Sequence, residues 1–239
     1  MDEKKILAAF CTRGITDDTE RFKNNLIETA GEEIDIIAVE NPNGNGLTSE
    51  YNKILGLDEA KDRIVLFIHD DIEVLSDKWA TTLKRIFKDN PKYGIVGVAG
   101  AAEFDEGGAW WKYDLKYGQV LHRSEGKSWL TSFSPNFEHD LEEVCVIDGL
   151  FMAIDTERVD TKFDDENFQS QFYDISFCLD NFIPQKTKIG VTTKIKIAHN
   201  SVGALKPEWH TSRNKMIEVY GEYLPIKMKK QVKKQWKRK

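Results

Sequence analysis

Residues 64–73 read IVLFIHDDIE. Five apolar residues run directly into a histidine and two adjacent carboxylates. Neighbouring acids repel each other and lose hydration when they are drawn toward a protein interior. A divalent cation removes both costs. Hard oxygen ligands suit Mg2+ or Mn2+, and imidazole tolerates Mn2+. Taken alone, HDD reads equally well as a turn in which Asp71 caps the next element of the chain. The remaining reactive types are less suggestive. Cys11, Cys145 and Cys178 each lie among apolar residues, without CxxC spacing. They read as buried thiols of a reducing compartment and argue against a cysteine-based metal site. The segment Gly44–Asn45–Gly46 lacks the Lys-Ser/Thr of a P-loop and the third glycine of a dinucleotide fingerprint.

The elements that must position HDD alternate in type. Ile6–Cys11 is a short apolar run, and Asp17 and Asp18 are candidate caps for a helix with Phe22, Leu26 and Ala30 on one face. Ile34–Val39 forms a second strand. Ser49 precedes a helix carrying Tyr51, Ile54 and Leu55, and Ile64–Ile68 is a third strand, apolar on both faces. Ser76 heads a helix with Trp79, Leu83, Ile86 and Phe87, which stops at Pro91; YGIVGVAG is a fourth strand. This β-α-β-α-β-α-β order predicts an α/β fold, with a mostly parallel central sheet flanked by helices. In such sheets ligands bind beyond the carboxyl ends of the strands, where Asp70 and Asp71 stand. From Ala101 to about Glu143 the periodicity breaks into a region rich in Gly, Trp, Tyr and charge. VCVIDGLFMAID then restores a strand, FYDISFCLDNF a helix, and TKIKIAHNS a strand. The second half has too few strands for a core of its own, so a single domain over 1–225 is expected.

The chain has 239 residues and a net charge of −6. Residues 226–239 hold eight Lys/Arg and no acid, which leaves −14 on the remainder. This balance argues against a general nucleic-acid binder. Met228, Val232 and Trp236 recur at i, i+4, i+8 in that basic tail, the pattern of a helix lying on an anionic membrane surface. A solvated, frayed tail carries equal weight. No apolar run approaches the roughly 18 residues of a spanning helix, and the start, MDEKKILAAFCTRG, is not a secretory signal. A cytoplasmic protein is expected, at the inner face of the membrane if the tail docks.

The order of features resembles glycosyltransferases of the GT-A fold, family 2 type, and their small glycosyltransferase-like branch, from Ile6 to about Leu224. Three segments carry the resemblance: YNKILGLDEAKDRIVLFIHDDIEV, then VIDGLFMAIDTERV with FDDENFQSQFYDISFCL, then IKIAHNSVG. It implies a nucleotide-binding half over 1–100 and an acceptor-side half over 101–225. It also implies a metal-dependent, inverting transfer from a nucleoside-diphosphate sugar, UDP by default, to a glycan, polymer or lipid-linked hydroxyl. Asp71 and His199 would hold Mn2+ or Mg2+, and Asp70 would bind the ribose. Asp174 would be the general base, because an acceptor hydroxyl is a poor nucleophile until its proton is taken. Thr12, Arg13, Glu40 with Asn41, and Asn52 would line the nucleotide pocket. Asp148 would meet a sugar hydroxyl, and Gly149 would let a sugar approach the backbone.

Two positions depart from the family pattern. His69 stands where many relatives carry a third aspartate, and a packing role is favoured for it. Ser176 replaces a second acid two residues after Asp174. Trp110, Trp111 and Trp129 fit an acceptor platform or lid, with a small satellite core slightly favoured. The rival readings are a nucleotidyltransferase of related fold, for which CTRGITDD is a poor glycine-rich basic loop, and a non-catalytic sugar-nucleotide or glycan-binding relative.

Overall fold

The computed structural model describes residues 4–44, 46–133, 139–201 and 205–228. The first part alternates β1 (Ile6–Thr12), α1 (Asp17–Ala30), β2 (Asp35–Glu40), α2 (Leu47–Leu55), β3 (Ile64–Ile68), β4 (Ile72–Val74) and α3 (Trp79–Asp89). Every residue of β3 is buried, as its unbroken apolar run requires of a strand covered on both faces. α1 packs Phe22, Leu26 and Ala30 inward. Trp79, fully buried on α3, donates its indole N–H to the Leu26 carbonyl at 3.0 Å and ties the two helices together.

The helix starts differ from expectation. Thr16 and Thr19 form a reciprocal capping box at α1, and Asp17 and Asp18 occupy the first turn. Their charge there still complements the helix dipole. Ser49 lies inside α2, which begins after Gly46 in the left-handed conformation. Ser76 caps nothing: its hydroxyl accepts from Lys196 N–H at 2.8 Å and faces the Lys194 carbonyl, while α3 starts at Trp79.

The chain continues as β5 (Tyr93–Gly97), β6 (Ala99–Ala101), β7 (Glu103–Phe104), β8 (Lys116–Ser124), β9 (Lys127–Ser132), β10 (Glu142–Val144), β11 (Val146–Ile147) and β12 (Phe151–Asp155). α4 (Tyr173–Phe182), β13 (Lys188–Val191), β14 (Ile197–His199), α5 (Pro207–Tyr220) and β15 (Ile226–Lys227) complete it. The central sheet has the order β10-β13-β5-β12-β3-β1-β2. It is mixed rather than mostly parallel. The pairs β1–β2, β1–β3 and β5–β13 are parallel, whereas β3–β12, β5–β12 and β10–β13 are antiparallel. A second sheet runs β11-β6-β8-β14-β4, with β9 paired to β8. YGIVGVAG and VCVIDGLFMAID each contribute to both sheets, crossing at Val98 and at Asp148–Leu150. The hairpin β8–β9 supplies the order within the region that looked irregular.

The start of the basic tail is not helical. β15 pairs with β7, and Met228 N–H donates to the Ala102 carbonyl at 3.0 Å. Val232 and Trp236 lie outside the described residues. Among the described residues, no helix is long and apolar enough to cross a membrane.

Candidate functional site

β3 ends at Ile68, and the chain turns through His69, Asp70 and Asp71 before re-entering a sheet as β4. β4 pairs antiparallel with β14, setting Ile72 opposite His199, and Asn200 N–H donates to the Asp71 carbonyl at 2.8 Å. This pairing delivers a distant histidine to the acid. His199 Nε2 lies 3.3 Å from Asp71 Oδ2, and His69 Nδ1 lies 3.9 Å from Asp71 Oδ1. One donor atom from each of His69, Asp71 and His199 falls within 4.8 Å of the others.

Asp71 Oδ1 is buried and accepts no hydrogen bond. An unpaired buried carboxylate oxygen costs free energy that a cation would recover. The expected ligands Asp71 and His199 therefore come together, and His69 joins them. His69 Nε2 sits 2.9 Å from the Tyr173 hydroxyl. With Nε2–H donating to that hydroxyl, the Nδ1 lone pair faces Asp71, the tautomer a metal ligand needs. Two imidazoles and a carboxylate form a donor set that fits Mn2+ better than Mg2+, whose preference is for oxygen.

The carboxylate and the two imidazoles set one another's charge. Burial works against the Asp71 carboxylate, but the His199 hydrogen bond and charge, the Ser201 hydroxyl and His69 outweigh it and hold the group at about 2. Burial also opposes charge on His199, and Asp71 reverses this to raise its imidazole above the ordinary value. His69 is pushed down, chiefly by burial, with Asp148 and Asp71 opposing and His199 adding to the fall. A neutral His69 can offer a lone pair.

A cleft of about 210 Å³ opens beside this cluster at the carboxyl ends of β1 and β3. Thr12, Arg13, Asn41, Asp70 and Asp71 line it, with Cys11, Tyr51 and His69 added to the expected set. Arg13 donates to the Pro42 carbonyl at 3.1 Å, and its guanidinium fills the space above Gly44 that a Cβ would need. Glu40 turns aside and accepts from Ile15 N–H at 3.0 Å. Asn52 is committed elsewhere: its amide donates to the Phe163 carbonyl at 2.9 Å and accepts from Phe163 N–H at 2.8 Å. It clamps the loop before α4 rather than lining the cleft.

On the opposite side, Asp174 heads α4. Its two oxygens accept from Gly149 N–H at 2.8 Å and Ile175 N–H at 2.9 Å. Burial, then the charge of Asp148, raises this carboxyl from 3.8 to about 7, against those two donors. Asp148 accepts from Leu150 N–H at 3.0 Å, and its field reaches His69, His199 and Asp174. It thus sits electrostatically between the histidine cluster and the carboxyl of α4. Gly149 is occupied differently from the expectation. A Cβ there would lie 2.1 Å from the Tyr173 hydroxyl, so the group that approaches this backbone is the tyrosine that orients His69. Ser176 is fully buried and its hydroxyl donates to the Tyr173 carbonyl at 3.1 Å, which makes it part of the helix packing.

Sequence reasoning missed Tyr173 and His122. Tyr173 stands beside Asp174 in an apolar run and reads as core. His122 is set opposite His199 by the parallel pairing of β8 and β14, with the rings 6.0 Å apart. No local pattern announces that contact. The tryptophans divide: Trp110 is buried against Phe133, while Trp111 and Trp129 are exposed.

No curated protein matches the chain in sequence. Among solved structures, the crystal structure of A197 from STIV aligns at 16% identity and TM-score 0.48, over 85% of this chain and 91% of that one. CMP:2-keto-3-deoxy-manno-octonic acid synthetase complexed with CTP aligns at 10% identity and TM-score 0.39, over 90% of this chain and 100% of that one. GalNAc-T7 with UDP, GalNAc and Mn2+ aligns at 8% identity and TM-score 0.50, over 91% of this chain and 48% of that one. At such identity the last likeness is one of fold, that of the GT-A glycosyltransferases. The profile described as "Glycosyltransferase like family" matches residues 16–220, a span that includes His69, Asp71, Asp148, Asp174 and His199. The chain belongs to the glycosyltransferase-like family.

Proposed function

We propose that the protein is a metal-dependent transferase that moves a sugar from a nucleoside-diphosphate sugar to a hydroxyl of a glycan, polymer or lipid-linked acceptor, with inversion. The observation that carries this reading is the His69–Asp71–His199 cluster, with its unpaired Asp71 oxygen, at the rim of the strand-end cleft. When bound there, Mn2+ or Mg2+ would neutralise charge on the leaving diphosphate. UDP is the favoured nucleotide, in keeping with the ligands of GalNAc-T7.

The chain's own groups supply the rest. Asp70 faces the cleft from the exposed side of the turn and offers a carboxylate to the ribose. Thr12, Arg13 and Asn41 border the nucleotide. Asp174 accepts the proton of the acceptor hydroxyl as that oxygen attacks the anomeric carbon. One C–O bond forms, the bond to the diphosphate breaks, and the electron pair leaves with the phosphate. A carboxyl held near 7 suits this role, because a base works best when its pKa lies close to the working pH. The two backbone donors fix the carboxylate while leaving a lone pair on each oxygen. Asp148 bridges the two halves and is available to a sugar hydroxyl. Residues 226–239 are proposed as a basic segment that contacts anionic lipid at the inner face of the membrane, where a lipid-linked acceptor would be met. The activity test is release of UDP, GDP or CMP from the corresponding nucleotide-linked sugars with Mn2+. Turnover of one donor, abolished in Asp174→Asn, is the expected result. Equal turnover by that variant removes the base.

A further inference from the structure

The strands that carry His199 also build a surface that the donor site does not use. His199 on β14 pairs in register with His122 on β8, and His122 pairs in register with Trp129 on β9. Residues paired across adjacent strands project from the same face. The three rings therefore form one row leading away from the cation cluster. His199 and His122 are 6.0 Å apart. His122 and Trp129 are stacked, with centroids 5.5 Å apart and planes 22° from parallel. Trp129 nevertheless remains 41% exposed. His122 Nδ1 is buried without a hydrogen-bond partner, so stacking rather than polar contact orients the ring.

An exposed indole on an edge hairpin offers a flat apolar face with a polar N–H at its rim. Here one ring face is backed by an imidazole, and the row starts at the group proposed to hold the leaving diphosphate. Sugars with equatorial substituents offer flat faces of axial C–H bonds, and those faces match an indole in size and polarity.

We propose that Trp129 is the platform of an acceptor-sugar subsite for a β-linked hexopyranose chain, and that His122 is the positioning residue that holds the indole in line with the cation cluster. This rests on the sugar-transfer reading and names the chemistry of its acceptor. Stacking on the outer face of Trp129 would place one pyranose at the end of the row farthest from the cation cluster. His122 touches no substrate in this arrangement.

The test uses the full chain with cellotetraose and chitotetraose as probes, followed by indole fluorescence and saturation-transfer NMR at up to about 10 mM, the range of a weak single-platform site. Wild type is expected to bind at least one tetrasaccharide. Trp129→Ala should weaken that binding by about tenfold, and Trp129→Phe by less, since stacking survives in part. His122→Ala should weaken it by less than Trp129→Ala, and His122→Phe should restore it, a rescue that a merely folding role would not discriminate. Nucleoside-diphosphate binding with Mn2+ should be unchanged in all four variants, which separates this proposal from the donor site. Equal tetrasaccharide binding by wild type and Trp129→Ala overturns the platform, and so does absence of binding of either probe to wild type.

Discussion

Replacing Asp174 by Asn should change how stability depends on pH. Asp174 stands at about 7 in the folded chain, above its ordinary 3.8, because burial and the nearby Asp148 charge disfavour its ionised form. Between those values the folded chain keeps a proton that the unfolded chain has released. Stability therefore falls as pH rises through that window and levels off above about 7. A shift of roughly three units sets an upper bound of about 4 kcal/mol, at 1.36 kcal/mol per unit. The side chain keeps some contact with solvent, and about 2 kcal/mol is the working figure after screening. Asn is neutral throughout, so this loss disappears. Asn also carries an NH2 group, which cannot accept a hydrogen bond, in place of one carboxyl oxygen. Either Gly149 N–H or Ile175 N–H then loses its acceptor, at a pH-independent cost of about 1 kcal/mol. Urea unfolding near pH 4.5 and pH 8 measures both effects. Asp174→Asn should be less stable than wild type at the lower pH and as stable or more stable at the higher. The same titration predicts that sugar transfer rises with pH and reaches a plateau above about 7. Stability curves for the two proteins that run parallel from pH 4.5 to 8 would refute the reasoning.

Three further outcomes concern side chains near the site and the tail. Gly149→Ala would drive a methyl group into the Tyr173 hydroxyl and ring. Thermal unfolding should report a loss of about 1–3 kcal/mol, and adding Tyr173→Phe should recover only part of it, because the ring carbon also lies within 2.5 Å. Asn52→Ala leaves the Phe163 N–H and carbonyl without their partner. It should cost about 2 kcal/mol in urea unfolding with unchanged nucleotide affinity; lower affinity at unchanged stability would make Asn52 a donor contact instead. Ending the chain after Met228 should abolish flotation with vesicles containing anionic lipid while leaving the β15–β7 pairing in place. Equal flotation by both lengths would dismiss the tail as a membrane contact.

The first hundred residues were legible because their strands are long and apolar and their helices have one clear inward face. The direction of β12 was not. A strand buried on both faces has the same composition whether it runs parallel or antiparallel to its neighbours, so Phe151–Asp155 gave no sign of entering between β3 and β5 in reverse. A strand as short as Val146–Ile147 holds too few residues to display a period, whereas Ile197–His199 shows because the longer TKIKIAHNS alternates around it. Helix starts were misplaced where a backbone conformation, such as the left-handed Gly46 or Lys78, did the work expected of a Ser or Asp.

At the site, resemblance points to Asp71 and His199 together, and the β4–β14 pairing supplies the physical reason they meet. His69 reads as packing in the sequence because nothing local to a lone histidine after a buried strand shows that it lies beside Asp71 and His199. Its geometry depends on Tyr173, more than a hundred residues away. Asn52 was misjudged in the opposite sense: its position on α2 fits the pattern, but its amide is spent on the backbone of Phe163.

The central claim is that His69, Asp71 and His199 hold a cation that links the protein to a nucleoside diphosphate. The most direct measurement is the thermal shift of the full chain titrated with UDP, GDP and CMP, each with and without Mn2+, in wild type and in Asp71→Ala. The account predicts that one diphosphate stabilises wild type only when Mn2+ is present, and that Asp71→Ala loses this metal-dependent part. Absence of any nucleotide effect on wild type with Mn2+, or an undiminished effect in Asp71→Ala, would contradict it.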